Sequence, residues 1–314
     1  MARMNYGAAA CAALESAMAA DASVVALGED VGRGGIFGQY RGLQQKFGAA
    51  RVIDTPISES TIMGAAVGMA LTGLKPVVEM RVVDFALCAM DEIVNQAAKA
   101  RYMFGGQGRV PLVARLPIGI WTGSAAQHSQ SLEAWFAHIP GLVVVTPGTP
   151  QDNHSLLAAA IDCGDPVIYM EHKELWGLEG EVAAGEKIPL GKAKILQAGS
   201  DVTLVTWSRT VQTALEAVKQ AKNISVELID LRTIWPWDRE TVLASAAKTK
   251  RLVVAHEAVR VAGFGAEIAA TVAEELGIPV KRVGGARIPV GYSLPLEDES
   301  RIDAAGILKA LANF

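Results

Sequence analysis

Residues 51–71 read Arg-Val-Ile-Asp-Thr-Pro-Ile-Ser-Glu-Ser-Thr-Ile-Met-Gly-Ala-Ala-Val-Gly-Met-Ala-Leu, and this stretch predicts the fold class. A short apolar strand is predicted at 51–53, a turn at 54–58 and a helix at 59–71. A strand, a turn and a helix in succession form the repeating unit of α/β proteins. The stretch therefore predicts an α/β fold.

The same unit recurs on both sides of this stretch. Strands are predicted at 23–27, 75–83, 110–116, 141–146, 166–171, 202–207, 225–230, 251–255 and 280–283. Helices are predicted at 6–20, 85–100, 151–160, 211–221, 239–249 and 264–276, with one more in the tail 297–314. Such alternation is typical of parallel sheets covered on both faces.

A break in this alternation divides the chain into two predicted domains. The pattern weakens into turn residues between about 175 and 199 and then begins again. We expect two doubly wound α/β domains, at 1–186 and 201–314, joined by a linker at 187–200. The C-terminal domain is the smaller one.

Composition excludes several classes of protein. The chain has 314 residues, 51% of them hydrophobic, which is ample for two buried cores. Its 29 basic and 33 acidic residues give a net charge of −4, which offers no general attraction for nucleic acid or anionic membrane. No run of 18 apolar residues occurs, and the three cysteines form no metal-binding or disulfide pattern. These features predict a cytoplasmic protein that binds neither nucleic acid nor membrane.

The glycine-rich stretches do not match the common phosphate-binding motifs. A dinucleotide fingerprint starting at Gly32 would need its third glycine where Phe37 stands. The Gly263-Phe-Gly265 turn has Ile268 at the position of the third small residue. No GxxxxGK[ST] sequence is present. NAD and P-loop nucleotide sites are therefore disfavoured.

The turn before the predicted helix at 59–71 is the first candidate site. Glu59 stands where a strand leads into a helix, the place at which doubly wound sheets bind ligands. Apolar neighbours would desolvate its carboxyl if it faces inward and raise its pKa. Alternatively, Glu59 is an ordinary N-terminal acid stabilised by the helix dipole. Gly64 and Gly68 allow a close helix contact, within one chain or between two, or mark a small-residue core helix.

Several motifs, in order along nearly the whole chain, resemble one enzyme family. They are Gly28-Glu-Asp-Val, Asp54-Thr-Pro-Ile-Ser-Glu59, Asp84-Phe85, Asp91-Glu-Ile-Val-Asn-Gln-Ala-Ala-Lys99, Arg101-Tyr-Met-Phe-Gly-Gly-Gln107, Ala126-Gln-His-Ser-Gln-Ser131, Asp230-Leu-Arg-Thr233, His256-Glu257 and Pro295-Leu-Glu-Asp298. The chain resembles the β subunits of thiamine-diphosphate-dependent E1 components. That family includes pyruvate, branched-chain 2-oxo acid and acetoin dehydrogenases.

The resemblance implies an N-terminal pyrimidine-binding domain, a C-terminal transketolase-like domain and roles for three residues of the first domain. Glu59 matches the glutamate that hydrogen-bonds N1′ of the aminopyrimidine and so activates the cofactor. Phe85 would stack on the pyrimidine ring, and Ile57 would form an apolar wall of the same pocket. Plain core packing is the alternative for Phe85. Glu29 either faces this crevice or is a solvated turn acid.

The resemblance also implies that His128 belongs to the active site. Imidazole titrates near neutral pH, so His128 could transfer protons or bind the substrate or an incoming lipoyl group. A structural loop histidine is the alternative. The other histidines lack metal-ligand spacing and are expected to be structural: His138, His154, His172 and His256.

Half of the expected cofactor site is missing from the sequence. The Gly-Asp-Gly motif that holds Mg²⁺ and the diphosphate in the wider family is absent, since Gly164-Asp165 is followed by Pro166. The resemblance therefore implies an α subunit that supplies the Mg²⁺ ligands, an α2β2 heterotetramer and an E2 acyltransferase core with a lipoyl domain. It also implies a K⁺ ion bound through the backbone, with these candidates by position: Leu112, Ala160, Cys163 and Asp165.

The substrate remains open between a 2-oxo acid such as pyruvate and acetoin. In either case we expect the acyl group to be transferred to lipoamide. The competing hypothesis is a non-catalytic two-domain α/β module that binds a nucleotide or regulates a partner. Transketolase and 1-deoxyxylulose synthase fit less well, because both carry the diphosphate half in the same chain.

Overall fold

A mainly parallel β-sheet forms the centre of each of two units in the computed structural model, which describes residues 1–314. The first unit contains residues 1–118 and 135–190, and the second contains 119–134 and 191–314. The predicted α/β class with two domains is confirmed. Residues 119–134, which the sequence pattern assigns to the first domain, group by their contacts with the second unit.

Short strands and helices alternate from residue 2 to residue 182. In chain order they are β1 (Ala2–Asn5), α1 (Tyr6–Ala20), β2 (Val24–Gly28), α2 (Leu43–Phe47), β3 (Val52–Asp54), α3 (Glu59–Leu71), β4 (Lys75–Glu79), α4 (Ala98–Met103), β5 (Val113–Arg115), α5 (Glu133–Ala137), β6 (Val143–Val145), α6 (Pro150–Ile161), β7 (Val167–Tyr169) and β8 (Glu179–Val182).

The strands of the first unit form a sheet in the order β6–β7–β5–β4–β2–β3. All of these neighbours are parallel, whereas β1 and β8 form a separate antiparallel pair. Parallel strands buried on both faces need continuous apolar sequences. Val24, Val77, Val113 and Val167 accordingly lie in one buried core. The carboxyl ends of β2, β3 and β4 meet at one edge of this sheet.

Local sequence signals explain the helix boundaries. The Asn5 side chain accepts a hydrogen bond from the Ala8 N–H at 2.8 Å and caps α1. Helix α3 spans the residues predicted for it. One face of α3 is buried through Ile62, Met63, Ala66, Val67 and Ala70.

The segment after β4 differs from its prediction. A strand at 75–83 and a helix at 85–100 were expected, but β4 ends at Glu79 and is followed by a 3₁₀ turn at Val83–Ala89. A π-helical turn at Glu92–Ala97 then leads into α4. Met80, Val82 and Val83 remain buried beyond the strand. The apolar residues at 75–83 are therefore explained by burial and do not indicate the length of the strand. Irregular turns of this kind are frequent at functional sites.

The second unit contains the remaining elements. They are β9 (Lys194–Gln197), β10 (Val202–Thr206), α7 (Thr210–Gln220), β11 (Val226–Asp230), β12 (Thr233–Trp235), α8 (Arg239–Thr249), β13 (Leu252–Val259), α9 (Gly265–Leu276), β14 (Val280–Gly285), α10 (Leu294–Asp298) and α11 (Ala304–Ala312).

The sheet of the second unit runs in the order β14–β13–β10–β11–β9. Only β9 is antiparallel to its neighbour. Residues 187–200, predicted as a linker, therefore include an edge strand of this sheet. Leu204, Val253 and Ile307 lie in the core between this sheet and its helices.

Tyr102, Met103 and Phe104 at the end of α4 form an exposed apolar cluster, with 89%, 73% and 55% of their surfaces accessible. No helix combines the length and apolar character that crossing a membrane requires.

Candidate active site

Charged side chains collect where β2, β3 and β4 end. Glu29 follows β2, Glu59 begins α3 after β3, and Arg81 follows β4. The Arg81 guanidinium lies 2.7 Å from the Asp30 carboxylate and 4.0 Å from that of Glu29. This edge is where open α/β sheets bind ligands. Sequence reasoning identified Glu59 but missed Arg81.

The carboxyls of Glu29 and Glu59 interact electrostatically. Glu29 is buried, and this burial is the main cause of its raised pKa. The positive charge of Arg81 opposes the rise, while the negative charges of Glu59 and Asp30 add to it. A carboxyl whose ionisation is disfavoured by burial and by nearby negative charge is suited to holding a proton. Glu29 thus faces this site rather than bulk solvent.

Glu59 lies in a partly open environment. Its side chain is half-buried, and neighbouring Pro56 is exposed. Ile57 is 77% exposed, so in this chain it forms one side of an open surface. Ile62 and Met63, one turn further along α3, are buried. The expected apolar enclosure of Glu59 is therefore present only in part.

The glycine-rich loop is held against the turn that leads to Glu59. The Gly32 N–H donates to the Asp54 carboxylate at 2.7 Å. A Cβ atom at Gly32 would lie 2.3 Å from this carboxylate and 2.5 Å from the Gln44 amide. Only glycine fits so close an approach. The loop that fails as a dinucleotide fingerprint therefore has a packing role beside the candidate site.

The features expected for a planar heterocycle are an aromatic face, an apolar wall and an acid. Phe85 is half-buried on the 3₁₀ turn Val83–Ala89, which packs against α3. Ile57 and Glu59 flank the start of α3. In the same turn, the Thr55 hydroxyl is buried without a hydrogen-bond partner in the chain. An uncovered apolar side chain and an unsatisfied hydroxyl beside an acid fit a ligand with flat apolar faces and polar edges.

A buried polar network lies behind this edge of the sheet. Arg115 donates through Nε and Nη2 to the two carboxylate oxygens of Glu171, each at 2.8 Å. The Glu79 carboxyl accepts hydrogen bonds from the Tyr40 hydroxyl at 2.9 Å and the Gln39 amide at 3.1 Å. Burial raises the pKa of Glu79 to about 7, against the opposing charge of Arg115. Sequence reasoning missed this network.

His128 lies in the segment 119–134 of the second unit. It is exposed, and its backbone N–H donates to the Ala125 carbonyl at 3.4 Å. The next residue, Ser129, is buried, and its hydroxyl has no partner in the chain. Thr122 and Ala125 adopt left-handed backbone angles, φ 41° and φ 59°. Non-glycine residues held in this conformation are concentrated at functional sites.

Two of the histidines predicted to be structural have buried positions that explain them. His256 is fully buried and stacks on Trp207, with ring centroids 5.0 Å apart. The His172 Nδ1 accepts a hydrogen bond from the Glu174 N–H at 3.2 Å. No group of three or more His, Cys, Asp or Glu side chains is arranged to bind a metal ion.

Of the four backbone candidates for K⁺, Ala160, Cys163 and Asp165 lie at the end of α6 and in the turn after it, while Leu112 directly precedes β5. The Leu112 carbonyl accepts the Val167 N–H at 2.9 Å, and the Ala160 carbonyl accepts the Cys163 N–H at 3.2 Å. A carbonyl oxygen has a second lone pair, so these bonds are compatible with a cation. The Asp165 carboxylate binds Arg101 Nε at 2.5 Å. A positive charge therefore already lies at this turn.

The small-residue face of α3 is uncovered. Gly64, Ala65 and Gly68 are exposed. A Cβ atom at Gly68 would meet nothing within 4 Å, while one at Gly64 would lie 3.7 Å from Glu92. Within this chain, Gly68 is therefore not needed for packing.

Comparisons with known proteins agree with this architecture. The family model "Transketolase, pyrimidine binding domain" matches residues 2–177, and "Transketolase, C-terminal domain" matches residues 191–307. A solved structure of a split-gene transketolase in an inactive β4 tetramer has a similar fold, with a TM-score of 0.82. The match covers 96% of this chain and 95% of the other, at 24% sequence identity. Fold and site thus define a two-domain protein of the transketolase type.

Proteins of similar sequence identify the family within this class. The mitochondrial pyruvate dehydrogenase E1 component subunit beta-2 of Oryza sativa subsp. japonica is 44% identical, covering 91% of this chain and 79% of its own. The β subunit of acetoin:2,6-dichlorophenolindophenol oxidoreductase from Cupriavidus necator is 44% identical, covering 95% and 93%. The mitochondrial 2-oxoisovalerate dehydrogenase subunit beta of Chaetomium thermophilum is 45% identical, covering 91% and 64%. This chain belongs to the E1 β-subunit family of thiamine-diphosphate-dependent 2-oxo acid and acetoin dehydrogenases.

Proposed function

We propose that this chain is the β subunit of an E1 enzyme that decarboxylates a 2-oxo acid or cleaves acetoin and transfers the acyl group to lipoamide of an E2 component. Family membership supports the class of reaction. Relatives named for pyruvate, acetoin and 2-oxoisovalerate have 44%, 44% and 45% identity, so the substrate stays open among these classes.

The observation that carries the proposal is the arrangement at the start of α3. A half-buried acid, Glu59, stands beside Ile57, which is 77% exposed, at the ligand-binding edge of a parallel sheet. The turn that bears Phe85 packs against the same helix. These residues fit one side of an aminopyrimidine.

Each of these side chains then has a defined task. Glu59 would hold a proton at N1′ of the aminopyrimidine, and its negative charge helps to raise the pKa of the neighbouring Glu29. Phe85 would orient the ring by stacking, and Ile57 would exclude water from its other side. Bound thiamine diphosphate would supply the carbon nucleophile that this chain lacks.

His128 is proposed to act on the substrate or on the incoming lipoyl group. It is exposed on a loop whose backbone conformation is unusual. Its imidazole carries two ring nitrogens that can donate or accept hydrogen bonds.

The remaining parts of the site are assigned to a partner. Membership of the E1 β-subunit family implies an E1 α partner, and we propose an α2β2 heterotetramer in which the α subunit binds Mg²⁺ and the diphosphate. The exposed face of α3 is one candidate contact surface. We also propose K⁺ at the backbone of Leu112, Ala160, Cys163 and Asp165, and a cytoplasmic location.

Reconstitution tests the function. The chain should be inactive alone and should bind thiamine diphosphate and turn over a substrate only with an α subunit. Pyruvate, 2-oxoisovalerate and acetoin should be compared with 2,6-dichlorophenolindophenol as electron acceptor. Tight cofactor binding and turnover by this chain alone would contradict the split site, and an inert complex would favour the non-catalytic module.

A matched pair of variants tests the role of Glu59. Glu59→Gln should lower turnover of the reconstituted enzyme by about 10²-fold or more while assembly is retained. Glu274→Gln, at an exposed position on α9, is the control and should retain full activity. Unchanged turnover in Glu59→Gln would remove Glu59 from the proton-holding role.

Thermal unfolding tests the K⁺ proposal without turnover. Bound K⁺ should raise the melting temperature in KCl above that in tetramethylammonium chloride at equal ionic strength. Equal melting temperatures would show that this turn is held by protein contacts, including Arg101, alone.

A further inference from the structure

The segment 119–134 is attached to the second unit by contacts with residues far away in sequence. The Ile120 N–H donates to the Glu257 carboxylate at 2.9 Å. The Gly123 N–H donates to the Glu297 carboxylate at 2.5 Å. Both acids lie in motifs that the family resemblance singled out and to which the proposed function gives no role.

Glu297 is a buried anchor with both oxygens engaged. It is 2% exposed, lies on α10 and binds Gly123 through Oε2. Its other oxygen, Oε1, accepts a hydrogen bond from Arg301 at 2.7 Å. Arg301 thus neutralises the buried charge, and hydrogen bonds to a carboxylate are stronger than those between neutral groups.

Glu257 and Glu133 attach the segment at two further points. Glu257 is half-buried near the end of β13 and holds Ile120 at the start of the segment. Glu133, near the other end, is 2% exposed and accepts a hydrogen bond from the Trp207 indole at 3.1 Å. The Gly119 N–H to Gln130 carbonyl bond, 3.0 Å long, closes the base of the loop.

The anchors surround the part of the loop with the least favourable backbone. Gly123 has φ 72°, and Thr122 beside it has φ 41° although it carries a side chain. A Cβ atom at Gly123 would lie 3.2 Å from the Tyr292 carbonyl oxygen, so α10 and its preceding turn confine this point. Such a conformation persists only where surrounding contacts hold it.

We propose that Glu297 and Glu257 are positioning residues for His128. They fix the backbone at 120 and 123, and that backbone sets where the exposed imidazole lies. This inference rests on the proposed role of His128 in the E1 reaction. The two acids reach neither substrate nor cofactor in this scheme and act only through the loop.

Hydrogen exchange tests the anchoring itself. In the assembled α–β enzyme, Glu297→Gln should speed amide exchange in residues 119–126 by roughly tenfold or more, because one bond to a charged acceptor is lost. Glu257→Gln should speed amide exchange near Ile120. It is the alternative test variant if Glu297→Gln does not assemble with the α subunit. Glu299→Gln, an exposed neighbour, is the control. Unchanged exchange in both test variants would overturn the proposal.

A double-mutant cycle tests whether the acids act through His128. Glu297→Gln and His128→Ala should each lower turnover, and the combined variant should be no slower than His128→Ala. Effects that multiply instead would show that Glu297 acts on turnover by another route and would overturn the proposal. If His128→Ala keeps full activity while Glu297→Gln still speeds amide exchange in the loop, Glu297 does hold the loop. His128 would then have no part in the proposed function.

Discussion

Arg115 and Glu171 form a bidentate ion pair that is completely shielded from solvent. Both side chains are 0% exposed, and the guanidinium also lies over the Tyr40 ring, 5.0 Å from its centroid. The Asn153 amide donates to the same carboxylate at 2.9 Å. Removing one partner would leave a buried charge without compensation.

Arg115→Met should therefore destabilise the protein by about 3 to 5 kcal/mol. Denaturant unfolding followed by circular dichroism measures the loss. The double variant Arg115→Met with Glu171→Met should recover part of it, because no isolated charge remains. Arg3→Gln breaks the exposed pair with Glu179 and should cost less than about 1 kcal/mol. Similar losses in Arg115→Met and Arg3→Gln would contradict the prediction.

Glu79 should make stability depend on pH. Burial raises its folded-state pKa from 4.5 to about 7. Between these values the folded protein keeps a proton that the unfolded chain has lost, so the free energy of unfolding falls as pH rises through this window. The shift corresponds to about 3 kcal/mol at most.

Glu79→Gln mimics the protonated carboxyl and should remove this part of the pH dependence. Urea unfolding of both proteins at several values between pH 5 and pH 8 gives the comparison. Comparing the two curves cancels the titration of other groups, including His256, whose pKa burial lowers to about 4. Parallel stability curves for the two proteins would rule out a titrating Glu79.

Gly68→Leu should separate folding from assembly. Nothing lies within 4 Å of the position its Cβ would occupy, so the chain alone should fold as well as before. Leucine should even stabilise the exposed helix by roughly 1 kcal/mol. If the exposed face of α3 contacts the α subunit, the bulky side chain should weaken association at least about tenfold.

Isothermal titration with the α subunit measures this association. Lys219→Leu, an exposed position on α7, provides the control for added apolar surface. Equal affinities in Gly68→Leu and Lys219→Leu would place the contact elsewhere.

Gly32→Ala should disturb the loop beside Glu59. Its Cβ would overlap the Asp54 carboxylate, which must then shift. A loss of about 1 to 3 kcal/mol in unfolding free energy is expected for such overpacking. Gly177→Ala, where a Cβ meets nothing within 4 Å, is the matched control and should stay within about 0.5 kcal/mol. Calorimetric unfolding compares the two, and equal stabilities would show that the Asp54 contact is easily rearranged.

Local sequence predicts the regular parts of this fold well. The Asn5 cap, the limits of α3 and the alternation of buried strands are all encoded by neighbouring residues. The elements predicted after β4 were wrong in their details. The reason is that buried apolar residues recur in 3₁₀ and π turns at spacings similar to those in strands and helices. The sequence pattern does not show that residues 119–134 group by their contacts with the second unit, since the acids that bind Ile120 and Gly123 are more than a hundred positions away.

Residues of the candidate site could be predicted only where they lie in a motif that resembles the family. Glu59, Ile57 and Phe85 lie in segments that resemble a known family, and their roles remain predictions. Arg81 and the Glu79 network depend on which strand ends become neighbours, which periodicity does not reveal. A sequence signal does exist: Glu79, Arg115 and Glu171 each interrupt an apolar run where a buried strand ends.

The exposed cluster of Tyr102, Met103 and Phe104 has a practical consequence for recombinant production. Side chains of this size, uncovered and adjacent, favour aggregation when nothing shields them. We expect low yields and precipitates when this chain is expressed by itself. Co-expression with the α subunit from one plasmid should be the more efficient route to usable material.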